Sequence, residues 1–174
     1  MVSTWKLVRL HDGHPVDAFT SGTRPGAADI DKYLRESALT EQAGRLAAVW
    51  VVEDTTAAAR ADRIVGFFTL SPVSVRLSPA LMQGMGIAAT YLMIGGWLLG
   101  RMGLAKQHQG HDHGRLLVAS AIRTASELSQ VTAGALLAVD PANESLMKWY
   151  LKLDFGFQRL ASNDPRLLRL AMKL

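Results

Sequence analysis

The chain has 174 residues, a formal charge of +4 and no cysteine. That length suits a single domain with its own apolar core, and the lack of thiols excludes a disulfide framework, a zinc ribbon and a cysteine nucleophile while favouring a reducing compartment. The basic balance favours anionic partners such as RNA or a phosphorylated cofactor, with plain solubility as the other reading.

The opening MVSTWKLVRLHDG has no apolar run behind a basic segment, so it does not read as a secretory signal and points to the cytoplasm. Residues 4–10 (TWKLVRL) alternate as a first strand, ended by the turn HDGHP. From Asp29, the apolar positions Ile30, Tyr33, Leu34, Ala38 and Leu39 recur at helical spacing. They predict one amphipathic helix over 29–44, capped by Asp29, stopped by Gly44, with Lys32, Arg35 and Glu36 on its far face. Residues 46–52 and 64–70 are rich in branched and aromatic side chains and predict a hairpin with a polar, alanine-rich connection.

Residues 79–100 carry no charge over a length that could span a bilayer. Gln83 and the glycines at 84, 86, 95, 96 and 100 argue instead for a loop or short helix leading into a buried strand, and against a membrane partner. Residues 97–105 (WLLGRMGLA) read as that strand, central and buried on both faces, with Gly103 marking a bulge or the close approach of another molecule's backbone. A helix over 114–128, a short strand over 135–139, a short helix over 143–152 and a closing strand over 167–172 complete the chain. The fold class is α/β of the mixed α+β kind: one domain, a mixed central sheet and helices on both faces.

The stretch KQHQGHDHGRLL, residues 106–117, offers two chemistries. His108, Asp112, His111 and His113 have spacings that could converge on one metal ion, but four ligands from one short loop are uncommon and nothing elsewhere in the sequence supplies a second group. The phosphate reading rests on context: a buried strand runs into a glycine-containing loop that opens a helix near Gly114, and free N–H groups at a helix start attract anions. No Walker sequence and no GxGxxG after a first strand is present, so nucleotide hydrolysis and dinucleotide binding fit poorly.

Here the segment QHQGHD (107–112) resembles the (Q/R)xxGx(G/A) loop of the Gcn5-related N-acetyltransferases, the GNAT superfamily, in which backbone amides hold the pyrophosphate of acetyl-coenzyme A. Downstream, NESLMKWYLKLDFGF (143–157) is similar to that superfamily's NxxAxxxY…GF segment through Asn143, Leu146 and Tyr150. FTSGTRPGAADIDKYLRESALTEQ (19–42) resembles the FxSGxxxLDxWLRxxAxxxQ opening of the acetyltransferase toxins that modify aminoacyl-tRNA, and WLLGRMGLAKQHQG (97–110) their LLGRLAVDxRxQG strand. Two positions depart from the pattern. Asp112 stands where Gly or Ala is expected, and Asp154 where a glycine would follow Tyr150.

The resemblance implies a GNAT-like sheet, acetyl-coenzyme A as cosubstrate, no metal, and aminoacyl-tRNA as acceptor. Met102, Gly103 and Leu104 would pair with pantetheine, while Gln107, Gln109, Gly110, His111, Asp112, His113, Gly114 and Arg115 would form the pyrophosphate loop. Asn143 would bond the pantetheine arm. Tyr150 would be the general acid for the leaving thiolate, its alternative being a packed core tyrosine. Lys32, Arg35, Arg45, Arg76 and Arg101 are the candidates for RNA contact, Arg101 foremost because an arginine in an apolar strand must find an anion or carboxylate. The resemblance also implies a small DNA-binding antitoxin, and the apolar 79–96 stretch suggests a homodimer contact. An acetyltransferase for protein N-termini or small amines, and a binding module disabled by Asp112, are the competing readings.

Overall fold

The computed structural model describes residues 4–161 and 168–174. Alternating apolar side chains make β1 (Trp5–Arg9) a half-buried strand, which pairs antiparallel with β2 (Ala48–Asp54). β2 pairs antiparallel with β3 (Ile64–Arg76), closing the expected hairpin. β4 (Met93–Leu104) runs parallel to β5 (Leu136–Val139), and β7 (Leu170–Lys173) lies antiparallel between β5 and the two-residue β6 (Gln158–Arg159). The result is a seven-stranded mixed sheet in the order β1-β2-β3-β4-β5-β7-β6, flanked by helices, as the residue pattern predicted. The helices are α1 (Ala27–Glu36), α2 (Ala38–Ala43), α3 (Pro79–Gly84), α4 (His113–Thr132) and α5 (Glu144–Lys152).

The described residues fall into two compact units, 4–71 with 101–121, and 72–100 with 122–161 and 168–174. Each has its own core. In the first, Phe67 is fully buried and meets Phe19 edge-on at 5.5 Å and Tyr33 in a stacked arrangement at 6.3 Å, with Leu34, Val49, Val51 and Ile64 filling in around them. In the second, Leu136 and Ala138 of β5 pack with Ala171 of β7, Val75 and Leu77 of β3, and Met82 and Met85 from α3 and its end.

Several sequence expectations need correction. The single helix over 29–44 is two helices broken at Ser37, and its start is capped by Gly26, in left-handed backbone at φ +84°, with Asp29 inside the first turn. Gly44 does end α2, as expected. β3 continues through Pro72 to Arg76, and β4 begins at Met93, four residues ahead of the predicted start at 97. β4 is not buried on both faces: Ile94, Leu99 and Gly103 are buried, while Met93, Gly95, Gly100 and Arg101 are exposed. The predicted closing strand is β7, which begins at Leu170; Leu167 lies outside the described residues. Among the described residues no helix is long and apolar enough to cross a membrane, and the uncharged 79–100 segment is α3 followed by the first part of β4.

Candidate active site

β4 is hydrogen-bonded to β3 on one edge and only partly paired with β5 on the other. Its pairing with β5 runs from Gly96 to Leu99, yet β4 continues to Leu104, so Met102, Gly103 and Leu104 lie beyond the paired stretch. After Leu104 a single 3-10 turn (Lys106–His108) leads to Gln109, whose side-chain Nε2 donates to the carbonyls of Leu104 at 2.9 Å and Ser21 at 2.8 Å. This clamp holds the loop to the strand end. Gln107 is exposed and reaches Asp62 Oδ1 only at 3.5 Å, at the limit of a hydrogen bond.

The loop then turns twice through left-handed backbone, at Gly110 (φ +82°) and Asp112 (φ +59°), and delivers the chain into the 20-residue α4. The Asp112 carbonyl accepts from the N–H of Arg115 at 3.0 Å and Leu116 at 3.4 Å, so Asp112 holds the N-cap place through its backbone. Its φ differs from the extended backbone of a side-chain cap, and the residue is exposed. Among the described residues, the N–H groups of Gly110, His111, Asp112, His113 and Gly114 have no protein acceptor. Five consecutive unpaired donors across alternating backbone hands make a concave nest for an anion, reinforced by the positive end of α4.

The histidines of the loop turn to one another and to β1. His113 Nδ1 donates to the His108 carbonyl at 3.0 Å, and the Trp5 ring meets His108 at 5.3 Å and His113 at 4.7 Å in edge geometry. Burial, followed by the charge of His113, pushes the His108 imidazole below its ordinary range. Among the described residues no three His, Asp or Glu side chains are grouped so as to hold a metal ion.

Gly103 has a different role from the one its sequence context suggested. A Cβ there would meet Ile30, Phe67 and Phe19 of the same unit, so the missing side chain makes room for the protein's own core, not for another molecule's backbone. Arg101 is exposed, and its guanidinium lies 5.0 Å from the Tyr33 ring centroid. The expected need for an anion or carboxylate is met by an aromatic face instead. Tyr33 in turn donates its hydroxyl to Glu41 at 2.8 Å, and burial together with that carboxylate raises its pKa. Lys32, 4.0 Å from Glu36, Arg35 and Arg45 are exposed in the same unit; Arg76 is exposed in the other.

Asn143 and Tyr150 belong to the second unit. Asn143 is the N-cap of α5, its side-chain oxygen accepting from the Leu146 N–H at 2.9 Å, which leaves the amide nitrogen as its available donor. Tyr150 is buried between Trp149, at 4.9 Å, and Phe157, at 5.6 Å. Desolvation raises its pKa above that of a free phenol. Asp154 itself adopts the left-handed conformation, φ +58°, just past the C-cap Leu153, so it replaces the terminating glycine, and Gly156 supplies a second such residue at φ +88°.

Residues that sequence reasoning left without a role prove to be fasteners. Asp31 is buried on α1 and accepts from the Ser21 N–H at 2.8 Å and hydroxyl at 2.6 Å, fixing the segment whose carbonyl also receives Gln109. Gln42 joins the Leu10 carbonyl, the Val49 N–H and Arg9. The SG…D and terminal Q of the 19–42 segment were the available signal.

A mixed sheet with β4 and β5 parallel, and an anion nest between β4 and α4, is the GNAT-like fold. No protein-family model matches the chain. Among solved structures it is similar to a tyrosine-to-phenylalanine mutant of KacT, at 21% identity and TM-score 0.77 over 97% of this chain and 94% of that one. It is also similar to AtaT complexed with acetyl-methionyl-tRNAfMet, at 18% identity and TM-score 0.79 over 97% and 94%. The AtaTR complex bound with acetyl-coenzyme A matches at 19% identity and TM-score 0.75 over 97% and 93%. At these identities the likeness establishes a shared fold.

Proposed function

We propose that the protein is an acetyl-coenzyme A-dependent N-acetyltransferase whose acceptor is the α-amino group of aminoacyl-tRNA, so that its action halts translation. The observation that carries this reading is the nest of unpaired N–H groups from Gly110 to Gly114 at the start of α4, which suits a pyrophosphate. The edge of β4 at Met102, Gly103 and Leu104, beyond its pairing with β5, suits an amide-bearing arm such as pantetheine, and the amide nitrogen of Asn143 is proposed as a further donor to pantetheine. Support for the acceptor comes from the shared fold, since AtaT has been solved with acetyl-methionyl-tRNAfMet.

In this reading the amine lone pair attacks the thioester carbonyl carbon. The new C–N bond forms as the C–S bond breaks, the departing thiolate takes the phenolic proton of Tyr150, and the surplus proton on nitrogen passes to water, from which the Tyr150 phenolate regains its own. The phenol carries that proton at neutral pH, and desolvation, by raising its pKa, makes it a weaker acid than a free tyrosine. The amine of an aminoacyl ester is weakly basic and largely neutral at physiological pH, so no carboxylate base is required. Lys32, Arg35, Arg45, Arg76 and Arg101 are proposed to meet the RNA backbone. AtaT has been solved with the C-terminus of the antitoxin AtaR, and a neutralising antitoxin is proposed here too.

The test is transfer of labelled acetyl from acetyl-coenzyme A to charged tRNA, uncharged tRNA and a peptide with a free N-terminus. The reading expects label in charged tRNA alone, released as N-acetyl amino acid by ester hydrolysis. Label in the peptide alone would assign a different acceptor. One observation favours the reading as a catalytically disabled module: Asp112 is an exposed member of the nest itself, and its negative charge opposes an anion bound there.

A further inference from the structure

Arg101 is a cation held in place. Its guanidinium lies 5.0 Å from the Tyr33 ring centroid and its backbone N–H donates to the buried Thr69 Oγ1 at 2.8 Å, while the residue itself remains exposed. We propose that Tyr33 is a positioning residue: its ring sets Arg101 as a fixed charge for a phosphodiester at the acceptor end of the tRNA, beside the thioester. This rests on the acetyl-coenzyme A and aminoacyl-tRNA reading and adds to it the residue that aims the acceptor's cation.

The choice of an aromatic holder has a consequence for charge. A carboxylate partner fixes a guanidinium by cancelling its charge, whereas an aromatic face fixes it and leaves the charge intact for an anion. Among the described residues no carboxylate forms an ion pair with Arg101. Tyr33 is itself immobilised. It is buried, stacks on Phe67 at 6.3 Å, and donates its hydroxyl to Glu41 Oε2 at 2.8 Å, a bond that ties α1 to α2 across the break at Ser37. Donation to a carboxylate also enriches the ring in electron density, which strengthens its attraction for a cation.

The order of residues along β4 decides which phosphate Arg101 meets. With the pyrophosphate on the N–H groups of 110–114 and the arm along Leu104, Gly103 and Met102, the thioester end of the cosubstrate comes last, next to Arg101. Arg101 precedes Leu104 by three residues, about 10 Å at the rise of a β-strand and on the side away from the loop. A cation at the thioester end serves the acceptor, whose amine must reach that carbon, and the last phosphodiester of a tRNA lies one nucleoside from its aminoacyl ester. Arg101 and Gly103 share the α1 face of β4, as alternation requires: the guanidinium reaches Tyr33, and a Cβ on Gly103 would meet Ile30. Lys32 and Arg35, exposed on the same helix, add further positive charge.

The experiment measures acetyl transfer to charged tRNA by the full chain, as kcat and KM for tRNA, alongside the Kd of acetyl-coenzyme A by calorimetry. Tyr33→Phe keeps the ring, and 3,4,5-trifluorophenylalanine placed at position 33 keeps its shape while draining the negative face, so both chains should fold. KM for tRNA should stay within about twofold in Tyr33→Phe and rise about threefold to fivefold more with the trifluoro ring, kcat and Kd being unchanged. Arg101→Gln, at an exposed position, should raise KM about tenfold and reduce the slope of log KM against log salt by about 0.7–0.9, the share of one phosphate. In that background the trifluoro ring should change nothing further. Equal KM for the Phe and trifluoro chains would overturn the inference and leave the acetyltransferase reading standing. A rise in KM that persists without Arg101 would overturn the coupling of the two residues. Acetyl-coenzyme A affinity lost in Arg101→Gln as much as tRNA affinity would give the phosphate to the cosubstrate and overturn the assignment. No transfer to charged tRNA by the parent chain would overturn the acceptor reading and the inference with it.

Discussion

Replacing Gly103 by alanine separates packing from ligand binding as the reason for a glycine in β4. The added Cβ would lie 2.7 Å from Ile30 Cγ2, 2.7 Å from Phe67 Cε1 and 3.3 Å from Phe19 Cζ. Carbon atoms rest at about 3.5–4.0 Å, so the first two must withdraw by about 1 Å. Neither moves freely: Phe67 is fully buried against Phe19 and Tyr33, and Ile30 Cγ2 is fixed to the β-carbon of a branched residue on α1. Overpacking of this kind costs about 1–3 kcal/mol, offset by about 0.4–1 kcal/mol from the stiffer unfolded chain. A net loss of about 1–2 kcal/mol lowers the Tm of a chain this size by roughly 2–8 °C. Thermal unfolding by circular dichroism without ligand measures it. Adding Ile30→Ala, which deletes the clashing methyl, should recover at least about 0.5 kcal/mol relative to additivity. An unchanged Tm combined with lost acetyl-coenzyme A binding would refute the packing account and restore the reading in which Gly103 admits a ligand.

Asp112→Gly trades about 1 kcal/mol of left-handed strain for a similar cost in unfolded-state entropy, so Tm should hold within about 2 °C. Removing the carboxylate should meanwhile tighten acetyl-coenzyme A about fivefold at neutral pH; an unchanged Kd would show that Asp112 does not act on the nest. Tyr150→Phe keeps the ring between Trp149 and Phe157, so folding and cosubstrate Kd should persist while transfer falls about 100-fold or more. Full activity in that variant would leave Tyr150 as a core residue only. His14 is buried, with Nε2 3.1 Å from Glu53 Oε1 but without an aligned hydrogen bond, and burial depresses its pKa. The unfolded chain therefore takes up the proton first, and the stability that neutral His14 contributes is complete above about pH 6.5 and lost as pH falls below it. Melts at pH 7.5 and 5.0 should show a smaller pH-dependent drop in His14→Asn than in the parent; an equal drop would exclude His14 as the cause.

The strands with branched and aromatic runs were legible because local propensity and burial agree there, as in β2 and the first half of β3. β4 hid its first four residues because Gly95 and Gly96 suppress a strand signal that pairing with β5 overrides from Gly96 onward. The break at Ser37 was invisible because α2 continues the apolar spacing of α1 with little change of phase. Asp29 looked like a cap because its residue type caps helices; the chain turns earlier, through left-handed Gly26. The anion loop was legible from strand, glycine and helix order. What sequence order could not convey were the contacts that hold it: Gln109 to Ser21, Trp5 against His108 and His113, and Ile30 over Gly103. Each joins residues far apart in the chain, and none has a local period. Arg101 illustrates the same limit, since only the fold reveals that Tyr33 supplies the face on which it rests.

The five unpaired N–H groups from Gly110 to Gly114 are the proposed seat of a pyrophosphate. Calorimetric titration of the full chain with acetyl-coenzyme A at pH 7, in metal-free buffer with chelator, tests it most directly. Saturable binding of one equivalent with micromolar Kd, competed by coenzyme A, is the expected result. Absence of any binding heat, in protein whose circular dichroism and cooperative melt show it folded, would contradict it.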